Sequence, residues 1–196
     1  GIYRNVRLVT TSDLYIEYSG THVTTPTMNE HSATVHSVVT VTNKGKDKRT
    51  FKFVNSVYDG DGKRERKSEI TRTLKPGESD EIEMDMQIPN PVLWDITNPY
   101  MYELHSAIVV DNKEIDIYTT PFGFRTIEFD AQTGFWLNGK NVKLKGVCMH
   151  HDLGALGSAV HKRALERQLD ILQSFGVNAI RTAHNPPTPE LLDMCD

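Results

Sequence analysis

The chain has 196 residues, 38% apolar and 24% charged, with a formal net charge of −4 at pH 7. This balance excludes a disordered or fibrous chain, and the absence of a broad basic face sets aside nucleic acid as a partner, since the basic runs at Lys44–Arg49 and Lys63–Lys67 are broken by Asp47 and Glu65. Cys148 and Cys195 alone make no disulfide framework, and no apolar run approaches the ~20 residues of a membrane span.

The opening residues, Gly1-Ile-Tyr-Arg-Asn, look like neither a mature N-terminus nor a signal peptide, so the compartment stays open between periplasm and cytoplasm. From Asp13 to about Asp130 the pattern has period two. Leu14, Ile16 and Tyr18, then Val35, Val39 and Val41, then Phe51, Phe53 and Val57 read as half-buried strands. Ile82, Met84, Met86 and Ile88 alternate with Glu83, Asp85 and Gln87, which predicts one core face and one solvent face. Between these runs stand Asn43-Lys-Gly45, Asp59-Gly-Asp-Gly62 and Lys75-Pro-Gly-Glu78. Proline presets φ and glycine accepts positive φ, so all three read as turns between antiparallel strands. Short strands at such intervals, with no helical pattern among them, predict an all-β, immunoglobulin-like sandwich over residues 11–128. The cluster Pro89–Asp95 through Asn98–Tyr102 has the composition of a sugar-stacking platform. Trp94, Tyr100 and Tyr102 are read instead as anchors of a sandwich edge, and Phe122-Gly-Phe-Arg125 as a joint between the sandwich and the α/β part of the chain.

After Asp130 the pattern changes. Trp136–Val142 centres on Asn138-Gly139, a strong hairpin signal, and leads into an expected strand over Lys143–Met149. Leu165, Leu169 and Leu172 place one apolar stripe on a helix from His161 to Phe175, with Gly176 as its C-terminal cap. Val177–Ile180 is a short apolar strand, and Thr188-Pro189-Glu190 supplies an N-cap, a proline at N1 and a first-turn acid for a second helix. Strand, helix, strand, helix means a parallel sheet. Two strands cannot close it, so residues 129–196 read as the first strands and helices of an incomplete (β/α)8 barrel that continues beyond Asp196.

In such a barrel the functional groups stand at the C-terminal ends of the strands. The first strand delivers Cys148-Met-His-His-Asp152 and the second Arg181-Thr-Ala-His-Asn-Pro186. Histidine offers two hydrogen-bonding nitrogens and Arg181 a planar fork matched to a carboxylate, a set able to orient a sugar and a catalytic acid. A zinc set of His150, His151 and His184 with Asp152 or Cys148 lacks any recognised spacing, because adjacent histidines on an extended strand point to opposite faces. No metal is assigned. Cys148 is read as a small buried hydrophobe and Cys195 as structural.

Together Gly1–Leu8, Trp94–Tyr102, Phe122–Arg125, Gly146-Val147 and above all Asn178-Ala-Ile-Arg-Thr-Ala-His-Asn-Pro186 resemble glycoside hydrolase family 2. The resemblance implies a retaining β-glycosidase, a group that includes β-galactosidases, β-glucuronidases and β-mannosidases. It implies that residues 1–10 end a jelly-roll sugar-binding domain, and that the acid/base and nucleophile glutamates follow barrel strands four and seven, so neither lies within residues 1–196. A retaining mechanism needs two carboxyl groups about 5–5.5 Å apart, so these residues alone are expected to be inactive. By the same resemblance Arg181 orients the nucleophile, and His150 and His184 bind sugar hydroxyls. Asn185 joins this set where the family often has tyrosine, a variant closest to β-galactosidases; β-glucuronidase, β-mannosidase and a non-catalytic glycan- or protein-binding sandwich are the alternatives. The expected partner is a β-linked oligosaccharide or glycoside. No membrane and no cofactor are implied here, although the resemblance admits a divalent cation in the complete barrel. The open barrel edge is expected to favour self-association.

Overall fold

The structure, a computed structural model, describes residues 2, 4–29, 31–159 and 161–196. Gly1 and Tyr3, within the expected jelly-roll end, lie outside the described residues. Two compact units are present: Val9–Thr126, and Ile127–Asp196 with the segment up to Leu8. Among the described residues no helix is long and apolar enough to cross a membrane.

The first unit is an immunoglobulin-like sandwich. Its strands are β1 (Leu14–Thr24), β2 (Ser32–Asn43), β3 (Arg49–Tyr58), β4 (Arg64–Leu74), β5 (Ser79–Pro89), β6 (Tyr102–Val110) and β7 (Lys113–Phe122). They form a three-stranded sheet, β1-β2-β5, and a four-stranded sheet, β4-β3-β6-β7, with every neighbouring pair antiparallel. The alternation read from the sequence sets the inner faces. Ile82, Met84, Met86 and Ile88 of β5 are buried, as are Val35, Val39 and Val41 of β2 and Phe51, Phe53 and Val57 of β3.

These side chains make two apolar clusters, one around Val39, Phe51, Phe53 and Ile82, the other around Val35, Tyr102, Phe122 and Phe124. Ser37, Asn55 and Ser106 are fully buried polar residues of the same strands. Asn55 Nδ2 donates to Ser37 Oγ at 2.9 Å, and Ser37 Oγ donates to the Met84 carbonyl at 3.2 Å. Buried polar groups cost stability unless bonded, so this chain of bonds ties the two sheets together in one register.

Of the three expected turns, only Asp59–Gly62 closes a hairpin within a sheet, between β3 and β4. The other two carry the chain from one sheet to the other, because Asn43 joins them at a corner. Its Nδ2 donates to the carbonyls of Asp47 (2.9 Å), Leu74 (3.1 Å) and Lys75 (3.2 Å), and Gly77 N donates to its carbonyl at 2.7 Å. Tyr18 departs from its expected place on the β1 core face. The register against β2 breaks between Ile16 and Thr21, Ser19 turns to φ 57°, and Tyr18 emerges 76% exposed. A bulge inserts residues into one strand and so resets which face the next ones occupy.

The aromatic cluster is built into the sandwich. Tyr102 is 3% exposed and its hydroxyl accepts from Val92 N at 2.9 Å; burial pushes its phenol pKa up. Tyr100 accepts from Gly60 N at 3.0 Å, and the Arg125 guanidinium lies 4.9 Å from the Trp94 ring centre.

In the second unit β8 (Ile127–Asp130), β9 (Gly134–Leu137) and β10 (Lys140–Asn141) make an antiparallel meander. Its tight turn has Asn138 at φ 50° and Gly139 at φ 72°, the two left-handed residues that a type I′ hairpin requires. The following strand, β11, is Gly146–Met149, shorter than the expected Lys143–Met149. The Asn178 side chain occupies the edge in front of it, accepting from Lys145 N at 2.7 Å and donating to the Lys143 carbonyl at 3.1 Å. A 3₁₀ turn at Gly154–Leu156 precedes helix α1 (Lys162–Ser174). Helix α1 ends in a Schellman motif: Gly176 at φ 78° donates to the Gln173 carbonyl at 2.8 Å, and Val177 N to that of Leu172 at 3.1 Å. Strand β12 (Ala179–Thr182) and helix α2 (Pro189–Cys195) follow. Thr188 is the N-cap of α2, but its hydroxyl makes no capping bond. Cys195 is the last residue of this helix, and both cysteines are exposed, so Cys148 is not the buried hydrophobe expected.

The turn between β8 and β9 carries a pH prediction. Asp130 Oδ1 accepts from Gln132 N (2.9 Å), Thr133 N (2.6 Å) and Thr133 Oγ1 (2.7 Å). Bonds from the Thr133 side chain first, then from the two backbone amides, hold its pKa below the usual 3.8. A depressed carboxylate pKa contributes stability that is present above the unfolded value and lost as pH falls through the folded one. The turn should therefore loosen only below pH 3.8. The Thr133 amide resonance is expected to titrate there, and Asp130→Asn to abolish that titration.

Candidate functional site

Strands β11 and β12 pair in parallel, Gly146 with Ala179, Val147 with Ile180, Cys148 with Arg181 and Met149 with Thr182, and Ala183 N extends the ladder by donating to the Met149 carbonyl at 2.9 Å. Alternation on the pleat then sorts the side chains. Gly146 and Cys148 are exposed while Val147 and Met149 are half-buried, and Arg181 emerges beside Cys148, its Nη1 3.8 Å from Sγ. Leu165 of α1 and Leu191 of α2 are buried; with Met149 and Thr182 they line a cavity of about 30 Å³ behind the strand ends. One face of the pair is thus helix-covered. The other presents Cys148 and Arg181.

Past the last paired residues the two strand ends converge. Strand β11 stops at Met149, so His150 and His151 belong to the loop rather than to an extended strand. Ala183 is 2% exposed and anchors the end of β12, after which His184 takes a left-handed backbone with φ 64°. That conformation costs a β-carbon-bearing residue about 1 kcal/mol or more. It brings the His184 ring to 5.6 Å from that of His150, tilted by 46°. Asn185 is exposed and, like His150, lines the small cavity. The structure therefore brings His150 and His184 together, sets Arg181 on the adjoining open strand face, and places Asn185 one residue past His184.

Arg181 has no carboxylate partner among the described residues. Its fork and the two imidazoles offer donors to an anionic or hydroxylated group, a combination suited to holding a sugar or orienting an acid. It is poorly suited to a cation. Among the described residues no group of three His, Cys, Asp or Glu is disposed to hold a metal ion.

Several supporting residues carry no local signal of their role. Arg4 Nη2 donates to the Pro186 carbonyl at 2.9 Å and reaches His151 Nε2 at 3.4 Å, and Asn5 Nδ2 donates to Glu190 Oε1 at 2.9 Å. These contacts tie the loops after β11 and β12 and the first turn of α2 to the N-terminal segment across more than 140 residues of sequence. Asp152 Oδ1 accepts from Gly154 N at 3.0 Å, which shapes the loop after β11; the Asp-Leu-Gly spacing is its one readable cue.

Comparison with known proteins agrees with this architecture. The model of glycosyl hydrolases family 2 matches residues 14–125, and that of the family's TIM barrel domain matches residues 130–196. A β-galactosidase of Bacteroides ovatus is 41% identical over 196 residues, covering 100% of this chain and 23% of that protein. A β-glucuronidase of Bacteroides fragilis is 33% identical over 202 residues, again covering 100% of this chain and 29% of the relative. The crystal structure of a family 2 glycosyl hydrolase from Bacteroides cellulosilyticus superimposes with a TM-score of 0.90 at 38% identity, covering 94% of this chain and 24% of that one. The chain thus spans about a quarter of the length of these relatives. On its sandwich, its two parallel strands and these matches, the chain belongs to glycosyl hydrolase family 2.

Proposed function

We propose that this chain is the immunoglobulin-like domain and the opening of the catalytic barrel of a retaining β-glycosidase that hydrolyses terminal β-galactosides. The observation that carries the reading is the pair His150 and His184, 5.6 Å apart at adjacent strand ends beside Arg181. In the complete barrel His150 and His184 donate to and accept from hydroxyls of the bound sugar. Arg181, a positioning residue, holds the nucleophilic carboxylate in its fork so that the attacking oxygen faces the anomeric carbon. Asn185 borders the same sugar. The two catalytic carboxylates belong to later strands of the barrel, so the 196 residues alone hydrolyse no glycoside. Ile171, Phe175 and Leu192 are exposed apolar residues of the α/β unit, and isolated chains self-associate through that unit.

Galactose is favoured by the 41% identical relative, named a β-galactosidase. A second reading, β-glucuronidase, is supported by the 33% identical relative of that name. Hydrolysis of nitrophenyl β-galactoside, β-glucuronide, β-mannoside and β-glucoside by the enzyme that contains these residues separates the two. The galactoside should be cleaved preferentially. Preference for the glucuronide selects the second reading, and no turnover of any of the four overturns both.

A further inference from the structure

At one side of the sandwich the edge strands of the two sheets, β1 and β7, border a groove of about 580 Å³. That volume falls within the range of small-molecule sites, about 300–1,000 Å³. Ile16 N of β1 donates to Asp116 Oδ2 of β7 at 2.7 Å, so the groove spans a bonded junction of the two sheets. Its lining combines the rings of Tyr15, Tyr18 and Tyr118 with Asp13, Lys44 and Asp116.

We propose that this groove binds a neutral oligosaccharide. Tyrosine rings offer flat apolar faces with a polar tip, which suits the C–H face of a pyranose, while carboxylates accept pairs of sugar hydroxyls in charge-assisted bonds. Asp13 accepts no side-chain hydrogen bond among the described residues and keeps its acceptor capacity. Tyr15 is already engaged: its hydroxyl donates to Glu17 Oε1 at 3.0 Å, and Lys44 Nζ lies 5.2 Å from its ring centre. Tyr18 is the ring presented outward. Four residues, Glu17 to Gly20, stand opposite the single Thr40, with Ser19 at φ 57° and Gly20 so close to Glu17 that a β-carbon would lie 2.8 Å from Cβ of that residue. Backbone strain is thus spent on a bulge whose projecting side chain is a tyrosine at the rim of a groove.

Charge selects the class of sugar. Asp13, Glu17 and Asp116 outnumber Lys44, so the groove repels uronates and favours uncharged chains. This site lies in the sandwich unit and stands or falls independently of the function proposed for the strand ends.

The test is titration of the 196-residue chain with β-1,4-galactotetraose and, separately, with a hyaluronan tetrasaccharide, following backbone amide resonances. The neutral probe should bind saturably, with shifts centred on residues 13–18, 44 and 116–118. Tyr18→Ala should weaken it about fivefold without altering the unfolding temperature, and the acidic probe should bind less tightly. In the enzyme, Tyr18→Ala should leave turnover of nitrophenyl β-galactoside unchanged, which separates this site from the strand ends. Lack of saturation, undiminished binding by Tyr18→Ala, tighter binding of the acidic probe, or concentration-dependent pairing of chains through β1 in place of sugar binding would each overturn the proposal.

Discussion

Arg181→Ala, in the enzyme that contains these residues, is expected to lower kcat/KM for the β-galactoside proposed as substrate by about 10²–10³-fold, the usual consequence of removing one preorganised electrostatic partner. Most of the loss should fall on kcat, because a residue that orients the nucleophile acts more strongly in the transition state than on the bound sugar. Folding should be spared, since the side chain is exposed and its approach to Cys148, at 3.8 Å, is a weak contact. Arg181→Lys retains the charge but loses the planar fork, and recovers only part of the rate. Steady-state kinetics of both variants, beside thermal unfolding, distinguish this positioning role from a structural one. A raised KM with unchanged kcat would assign Arg181 to ground-state binding instead.

The largest effect on stability is expected at Phe124. Phe124→Ala should destabilise the sandwich by about 3–5 kcal/mol, the range for emptying a phenylalanine site in a packed core. The side chain is fully buried and meets Tyr102 edge-on at 4.8 Å and 77°, and Phe122 at 5.3 Å and 79°. No neighbour there can collapse cheaply, because Tyr102 is held by its bond from Val92 N and Phe124 O accepts from Trp94 N at 2.8 Å. Phe129→Ala is the contrast. That ring is 77% exposed and leans on Phe135 at 5.2 Å, so its loss should cost well under half as much. Urea unfolding followed by resonances of β3 and β6 for Phe124→Ala, and of β8 and β9 for Phe129→Ala, reads each variant in its own unit.

The fold is legible in this sequence where periodicity meets simple turn chemistry. Ile82, Met84, Met86 and Ile88 announce an inward face because a pleat alternates, and Asn138-Gly139 announces a hairpin because both positions need positive φ. What escapes is decided by distant partners. Asn43 looks like an ordinary turn residue, yet it bonds to carbonyls on two other segments and so sends two connections across the sandwich. Tyr18 continues a perfect alternation and still faces out, because the bulge arises from pairing with β2 and from the strain at Ser19. Cys148 reads as apolar filler, yet it stands exposed beside Arg181 of the neighbouring strand.

The candidate site divides in the same way. The adjacency of His150 and His184 follows from strand–helix–strand alternation, which forces the two strand ends side by side. The left-handed turn that swings His184 toward His150 does not, since histidine is only modestly favoured in that region. Nor do the braces from Arg4 and Asn5, whose partners stand more than 140 residues away.

The most direct measurement is a crystal structure of the enzyme with a galactose-configured inhibitor bound. Sugar hydroxyls are expected within about 2.7–3.2 Å of ring nitrogens of both His150 and His184, with a carboxylate from a later barrel strand paired to the Arg181 guanidinium. A sugar seated elsewhere, with both imidazoles turned to solvent and Arg181 paired to no carboxylate, would contradict the proposed role of these strand ends.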